Sequence, residues 1–221
     1  MIECLQSQAC HTYVPSSRAL TSRCSLALAA IALIALLSGC AKAKPVHYYQ
    51  ITYPATMVTA THSFDVSIMV RSFMTSHLYR EDLIVFGSNA QEMGTYQNER
   101  WFEAPTEMLR NSMVRGLRAS GRFRSVEALR SDSTGDFILT GHLYDFKEMD
   151  TSGVQAQLNF DVELHELKTG KIVWTFAYNH EEPVANKTVA ELAAAMDKNV
   201  QRAVQAVQAG LEEYFRAHPP S

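Results

Sequence analysis

An α+β fold is predicted for this 221-residue chain: a mostly antiparallel sheet of about five strands with two helices packed on one face, the C-terminal helix long. Three observations carry it. Two apolar/polar alternations, Leu158 to His165 and Ile172 to Tyr178, flank the turn Lys168-Thr169-Gly170-Lys171, which is a hairpin signal. Apolar residues recur every three or four positions near 105–120 and 188–217, the period of an amphipathic helix. The order along the chain, strands, helix, three strands, helix, lets both helices lie on one side of one sheet.

Each element has its own signal. Ala41 to Thr61 is polar, holds Pro45 and Pro54, and reads as a tether and entry segment, with His47-Tyr48-Tyr49-Gln50-Ile51 as a short edge strand. Phe64, Val66, Ile68 and Val70 alternate with polar positions, as in a half-buried strand. Leu83-Ile84-Val85-Phe86 is a compact apolar run that Gly94-Thr95-Tyr96-Gln97 can pair with as a hairpin. Pro105 suits a first helical turn, Leu109, Met113 and Leu117 recur every four residues, and Gly121 is a natural stop, so the first helix spans 105–120. Phe137, Leu139, Gly141 and Leu143 alternate in the next strand, ahead of the hairpin. In the last helix Thr188 and Glu191 form a capping box. At about 1.5 Å per residue, 188–217 reaches roughly 45 Å, against about 17–20 Å for an ordinary strand. Part of that helix is therefore expected to overhang the sheet or meet a partner.

The N-terminal region sets location. Leu37-Ser38-Gly39-Cys40 closes a thirteen-residue apolar run, Ser25 to Leu37, preceded by Arg18 and Arg23. The run is shorter than the about 20 residues a bilayer span needs and fits a signal-peptide core. Small residues at Ser38 and Gly39 suit a peptidase groove, and the next residue supplies a thiol. The junction reads as a bacterial lipobox with cleavage between Gly39 and Cys40 and lipidation at Cys40, the covalent diacylglycerol and N-acyl chain being the only attached group expected. The 24 residues ahead of the apolar run exceed what a leader needs, so translation is expected to start further in. The chain then divides into 1–39, signal peptide; 40–61, lipidated cysteine and tether; and 62–221, the folded domain. Ala41 and Lys42, rather than an aspartate, follow Cys40 and favour the periplasmic face of the outer membrane over the inner membrane.

Composition narrows the function. Losing 39 of 221 residues leaves 182, room for one domain. The mature part keeps 18 basic and 22 acidic residues, a balance that argues against nucleic acid. Cys4, Cys10 and Cys24 leave with the leader and Cys40 is lipidated, so no disulfide is available. No Gly-Lys-Ser/Thr phosphate loop follows a strand, and no Gly-x-Ser-x-Gly elbow is present. His165-Glu166 and His180-Glu181-Glu182 lie near opposite ends of one hairpin, too far apart to close on one ion. Neither a catalytic nor a metal residue is nominated, and a non-enzyme is expected. Met108, Met113 and Met196 hold apolar helical positions and read as core filler, although a lipid groove would use the same residues.

The segment Tyr96 to Pro105 is the most distinctive. Trp101 and Phe102 bring a large apolar area into a short connection, and Arg100 can pin a carboxylate while its stem packs on a ring. Two readings stand: a structural clamp between strand and helix, or a partner contact through Arg100 and Trp101.

At these residues the chain resembles the PqiC-like auxiliary lipoproteins of ABC-type transport systems. The resemblance rests on Tyr48-Tyr49-x-Ile51, Glu99-Arg100-Trp101-x-Glu103-x-Pro105, Ser120-Gly121-Arg122-Phe123-x-x-Val126, Asp136-Phe137-x-Leu139, Gly170-Lys171-x-Val173-Trp174 and the alanine-rich final helix. Phe102 and Ala104 depart from the family pattern, which tends to alanine and proline there. The resemblance implies a noncatalytic partner of a transporter with an MCE-domain subunit, moving lipid between membranes. The expected partners are membrane lipid, through the Cys40 anchor, and that MCE subunit; a homo-oligomer is compatible with the sequence. The alternative is a periplasmic carrier whose helix-sheet interface holds an acyl chain.

Overall fold

The computed structural model describes residues 44–53, 64–89 and 91–219; the leader, Gly39, Cys40 and the rest of the 1–43 region lie outside them, as do 54–63. Chain order is β1 (His47–Tyr49), β2 (Phe64–Val70), β3 (Met74–Thr75), a 3-10 turn (His77–Tyr79), β4 (Leu83–Gly87), β5 (Met93–Trp101), α1 (Pro105–Ala119), β6 (Phe123–Ala128), β7 (Phe137–Asp150), β8 (Val154–Glu166), β9 (Lys171–Pro183) and α2 (Val189–Ala217). The compact unit starts at Pro45.

β7 is the spine of the sheet. One edge pairs along its whole length with β8, antiparallel, and β8 pairs antiparallel with β9. The other edge is shared end to end by three short strands, all parallel to β7: β2 against 137–139, β3 against 142–143 and β4 against 147–149. Outside these lie β6, parallel to β2, and β5, antiparallel to β4, with β1 parallel to β5 at the far edge. The sheet is thus mixed, with nine strands among the described residues, not the mostly antiparallel sheet of about five. Alternation told which side chains face inward, but not which strand lies alongside or in which direction. Short β3 and β6, whose runs are weakly apolar, added to the count.

Two helices among the described residues cover the apolar side of this sheet and touch each other. α1 begins at Pro105, its first-turn N–H groups from Glu107 and Met108 reaching Ala104 O, and stops before Gly121, whose φ of 63° needs a residue without Cβ. α2 begins where Thr188 Oγ1 accepts the Glu191 N–H at 3.3 Å. Its apolar stripe stays buried from Leu192 to Phe215, so the helix does not overhang. The reason is strand length: β8 and β9 have 13 residues each, which at about 3.3 Å per residue roughly matches the helix.

Met196, Val200, Val204, Val207 and Leu211 from α2 meet Leu158, Val162 and Leu164 from β8, all fully buried. Each such side chain contributes roughly 1.5–3 kcal/mol by leaving water. At the far end Phe215 gathers Phe137, Phe64 and Phe123 with ring centres 5.1, 5.7 and 6.0 Å away, tying the end of α2 to β7, β2 and β6. Met108, Met113 and Met196 are core residues.

The entry segment is built into the fold. β1 closes the sheet edge, Ile51 is buried, and Thr52 donates from its N and Oγ1 to the two Asp197 carboxylate oxygens on α2, both at 3.1 Å.

Candidate partner-contact site

Trp101 ends β5 and turns inward. Its backbone N–H donates to Asp82 O at 2.8 Å, and its ring, 1% exposed, stands edge-on to Phe146 with centres 5.3 Å apart. That is the clamp geometry, and the ring is not available at the surface. Arg100 points the other way from the strand and folds back on it: Nη1 donates to Tyr96 O at 2.5 Å and Glu99 O at 2.9 Å, while Nε lies 3.9 Å from Asp82. In register with Arg100 across the β1–β5 pair sits Tyr48, which is 61% exposed.

The neighbouring pair is His47 and Glu99, with Nδ1 to Oε1 at 3.2 Å. The His47 hydrogen bond holds the Glu99 carboxyl below its usual range, and the nearby Tyr49 hydroxyl adds to this; burial works in the opposite direction. Burial, and then Glu99, raises Tyr49.

Phe102, which the sequence marks as half of an apolar pair with Trp101 and as a departure from the family pattern, faces the other way from Trp101. Its backbone N–H donates to Tyr49 O at 2.7 Å, and its side chain, next after inward-facing Trp101, faces outward at 64% exposure. Beside it opens a groove of about 320 Å³ whose lining includes Ile51, Glu103, Met108 and Asn111. An unusual aromatic directly before a helix was the only sequence signal for it.

The histidine clusters pair locally rather than converging. His165 Nε2 lies 3.0 Å from Glu163, His180 3.5 Å from Glu182, and His142 3.5 Å from Asp161, which also accepts from Tyr144 at 2.6 Å. Among the described residues no three His, Cys, Asp or Glu come together as a metal would need. A wider cleft of about 670 Å³ at the end of α2 is polar, and its Arg124 is already bound to Asp65 and Asp136 at 2.8 and 2.6 Å.

Residues 49–208, from β1 through most of α2, match the family model described as the ABC-type transport auxiliary lipoprotein component. The chain belongs to this family. Two solved structures resemble this auxiliary lipoprotein component. One is a Xanthomonas campestris protein of family DUF330, 19% identical, with a TM-score of 0.66, covering 74% of this chain and 93% of that one. Another, a crystal structure of an uncharacterized protein, is 14% identical with a TM-score of 0.59, covering 76% and 99%. At these identities the likeness shows the fold. No curated protein matches the sequence. A lipoprotein component of transport implies a cell-envelope location, and among the described residues no helix is long and apolar enough to cross a membrane.

Proposed function

We propose that this auxiliary lipoprotein is a noncatalytic adaptor of an ABC/MCE-type lipid transport system, fastened through lipid on Cys40 to the periplasmic face of the outer membrane, where it docks the transporter. The observation that carries this is the family match over 49–208 following directly on a lipobox. Three acyl chains anchor firmly, at about 0.8 kcal/mol per buried methylene. The seven residues from Ala41 to His47 reach at most about 25 Å, which keeps the domain beside the bilayer. Anchoring raises effective concentration, so a modest contact with the transporter is sufficient.

The docking surface is the β1–β5 edge, where Tyr48 is exposed and lies in register with the half-buried Arg100, next to buried Trp101. A carrier role at the helix-sheet interface is less favoured, because an acyl chain entering there would have to displace Met196, Val200 and Val207 from full burial. The test is capture of the neighbouring MCE subunit by the lipidated protein, by Cys40→Ser, and by Tyr48→Ala and Arg100→Ala. Loss of capture in both variants, each still folding cooperatively with a melting temperature only a few degrees below the parent's, supports docking at this edge. Undiminished capture by both moves the contact elsewhere, and no capture by the lipidated protein overturns the adaptor reading.

A further inference from the structure

The groove beside Phe102 has an apolar floor and a charged rim. Ile51, Met108 and Val114 are buried and form the floor, and the exposed Phe102 ring makes one wall. Glu103, Asn111 and Arg115 line the rim. Asn111 and Arg115 are one helical turn apart on α1 and therefore adjacent. Asn111 Nδ2 donates to Glu103 Oε2 at 3.0 Å and fixes that carboxylate at the rim. The neighbouring arginines of α1 are engaged, Arg110 with Glu107 and Arg118 with Val126 O. Among the described residues nothing pairs with Arg115.

We propose that this groove binds one acyl chain of a zwitterionic phospholipid of the phosphatidylethanolamine class. The alkyl chain lies on Ile51, Met108 and Val114 under the Phe102 ring, the phosphate meets the Arg115 guanidinium, and the ammonium meets the Glu103 carboxylate. Both rim charges are then matched by one headgroup. A fatty acid would leave Glu103 facing a like charge, and an alkylamine would do the same to Arg115. The space, about 320 Å³, lies at the small end of ligand pockets, which run about 300–1,000 Å³, and suits one chain rather than a whole lipid. The inference rests on the anchor reading for its supply of lipid: the ten residues after Cys40, Ala41 to Gln50, span at most about 35 Å, within reach of the bilayer. The binding chemistry itself does not depend on the anchor.

The test uses a lysophosphatidylethanolamine with a diazirine in its tail, offered to the purified full chain below its micelle concentration and, separately, within phosphatidylglycerol vesicles. After illumination, adducts are expected on the peptide covering 102–115. Arg115→Glu should cut that labelling about tenfold, the scale of one charge-assisted contact, with unchanged melting because the side chain is exposed. Phe102→Ala should also reduce it, and a diazirine fatty acid should label the site less. Equal labelling of Arg115→Glu and the parent, equal labelling by the fatty acid, or adducts spread as densely around the Gly170 turn overturns the proposal. So does an unlabelled groove that instead captures an amphipathic helix of a partner. Flotation reads the anchor separately: labelled but not floating sinks the anchor alone, and floating but unlabelled sinks the groove alone.

Discussion

The Tyr178 hydroxyl donates to Asn199 Oδ1 at 2.8 Å, in the buried seam between α2 and the β8–β9 hairpin. The Asn199 amide then donates to Ala156 O at 2.8 Å and His180 O at 3.0 Å, so one side chain keys the helix to two strands. Burial pushes the Tyr178 hydroxyl up to about 12, so it stays a donor at any working pH. A helix displaced by one turn would break all three bonds inside an apolar layer.

Asn199→Leu is expected to cost about 2–4 kcal/mol in urea unfolding, because two carbonyls and a hydroxyl lose their partner. Asn199→Asp should cost more at neutral pH, since its carboxylate would face both carbonyl oxygens. A loss below about 0.5 kcal/mol in both variants, no more than a surface substitution gives, would show that the bonds do not hold the helix in place.

Gly116 sits where α1 crosses α2. A Cβ there would run into Val204 Cγ1 and lie 3.0 Å from the Tyr53 ring. Gly116→Ala gains about 1 kcal/mol of helix propensity but is expected to lose about 1–3 kcal/mol by overpacking, for a net fall in melting temperature. A rise in melting temperature would mean that the crossing yields.

Trp101→Ala should remove about 3–5 kcal/mol, the scale of a buried aromatic, whereas Arg100→Ala should cost about 1 kcal/mol. Denaturant titration of the two variants separates the buried ring from the half-buried guanidinium. Equal losses would contradict the opposite placement of the two side chains.

Asp136 accepts from the Ser67 backbone N–H at 2.8 Å and the Ser67 hydroxyl at 2.9 Å, with Arg124 close by. The backbone bond above all, then the hydroxyl and Arg124, hold its carboxyl below the usual 3.8, while burial opposes them. A lowered folded value means stability present above 3.8 and lost as pH falls from there through that lower value. The stability gap between the parent and Asp136→Asn should therefore be constant near neutrality and close in strong acid. A gap that is independent of pH would show that the ionised carboxylate contributes nothing.

Much of the fold was legible because period marks facing. The hairpin about Gly170, the Pro105 start and the Thr188 cap follow from local chemistry, and the structure has each of them. Pairing was not legible. Parallel contacts of β7 with β2, β3 and β4 join residues dozens of positions apart, and nothing in FDVSIMV or LIVFG says which edge will receive it. The α2 overhang failed for a related reason: an average strand length was assumed where the hairpin continues past its apolar residues to Pro183. Asn199, three residues after Met196 and four before Ala203, interrupts the apolar stripe and could have been read as a buried key. The Trp101-Phe102 pair shows the opposite limit. Neighbouring residues of an extended chain face opposite sides, but two adjacent aromatics do not say which of them goes inward; the structure buries Trp101 and exposes Phe102.

β1 runs parallel to β5 and is followed at once by buried Ile51 and the Thr52–Asp197 clip, so a pull applied at His47 along the strand axis is resisted by the whole β1–β5 pair and by that clip. Such a load strains its hydrogen bonds together in shear instead of peeling them one by one. Under such a load the first part to yield is the three-residue strand, while the layered core behind it keeps its shape.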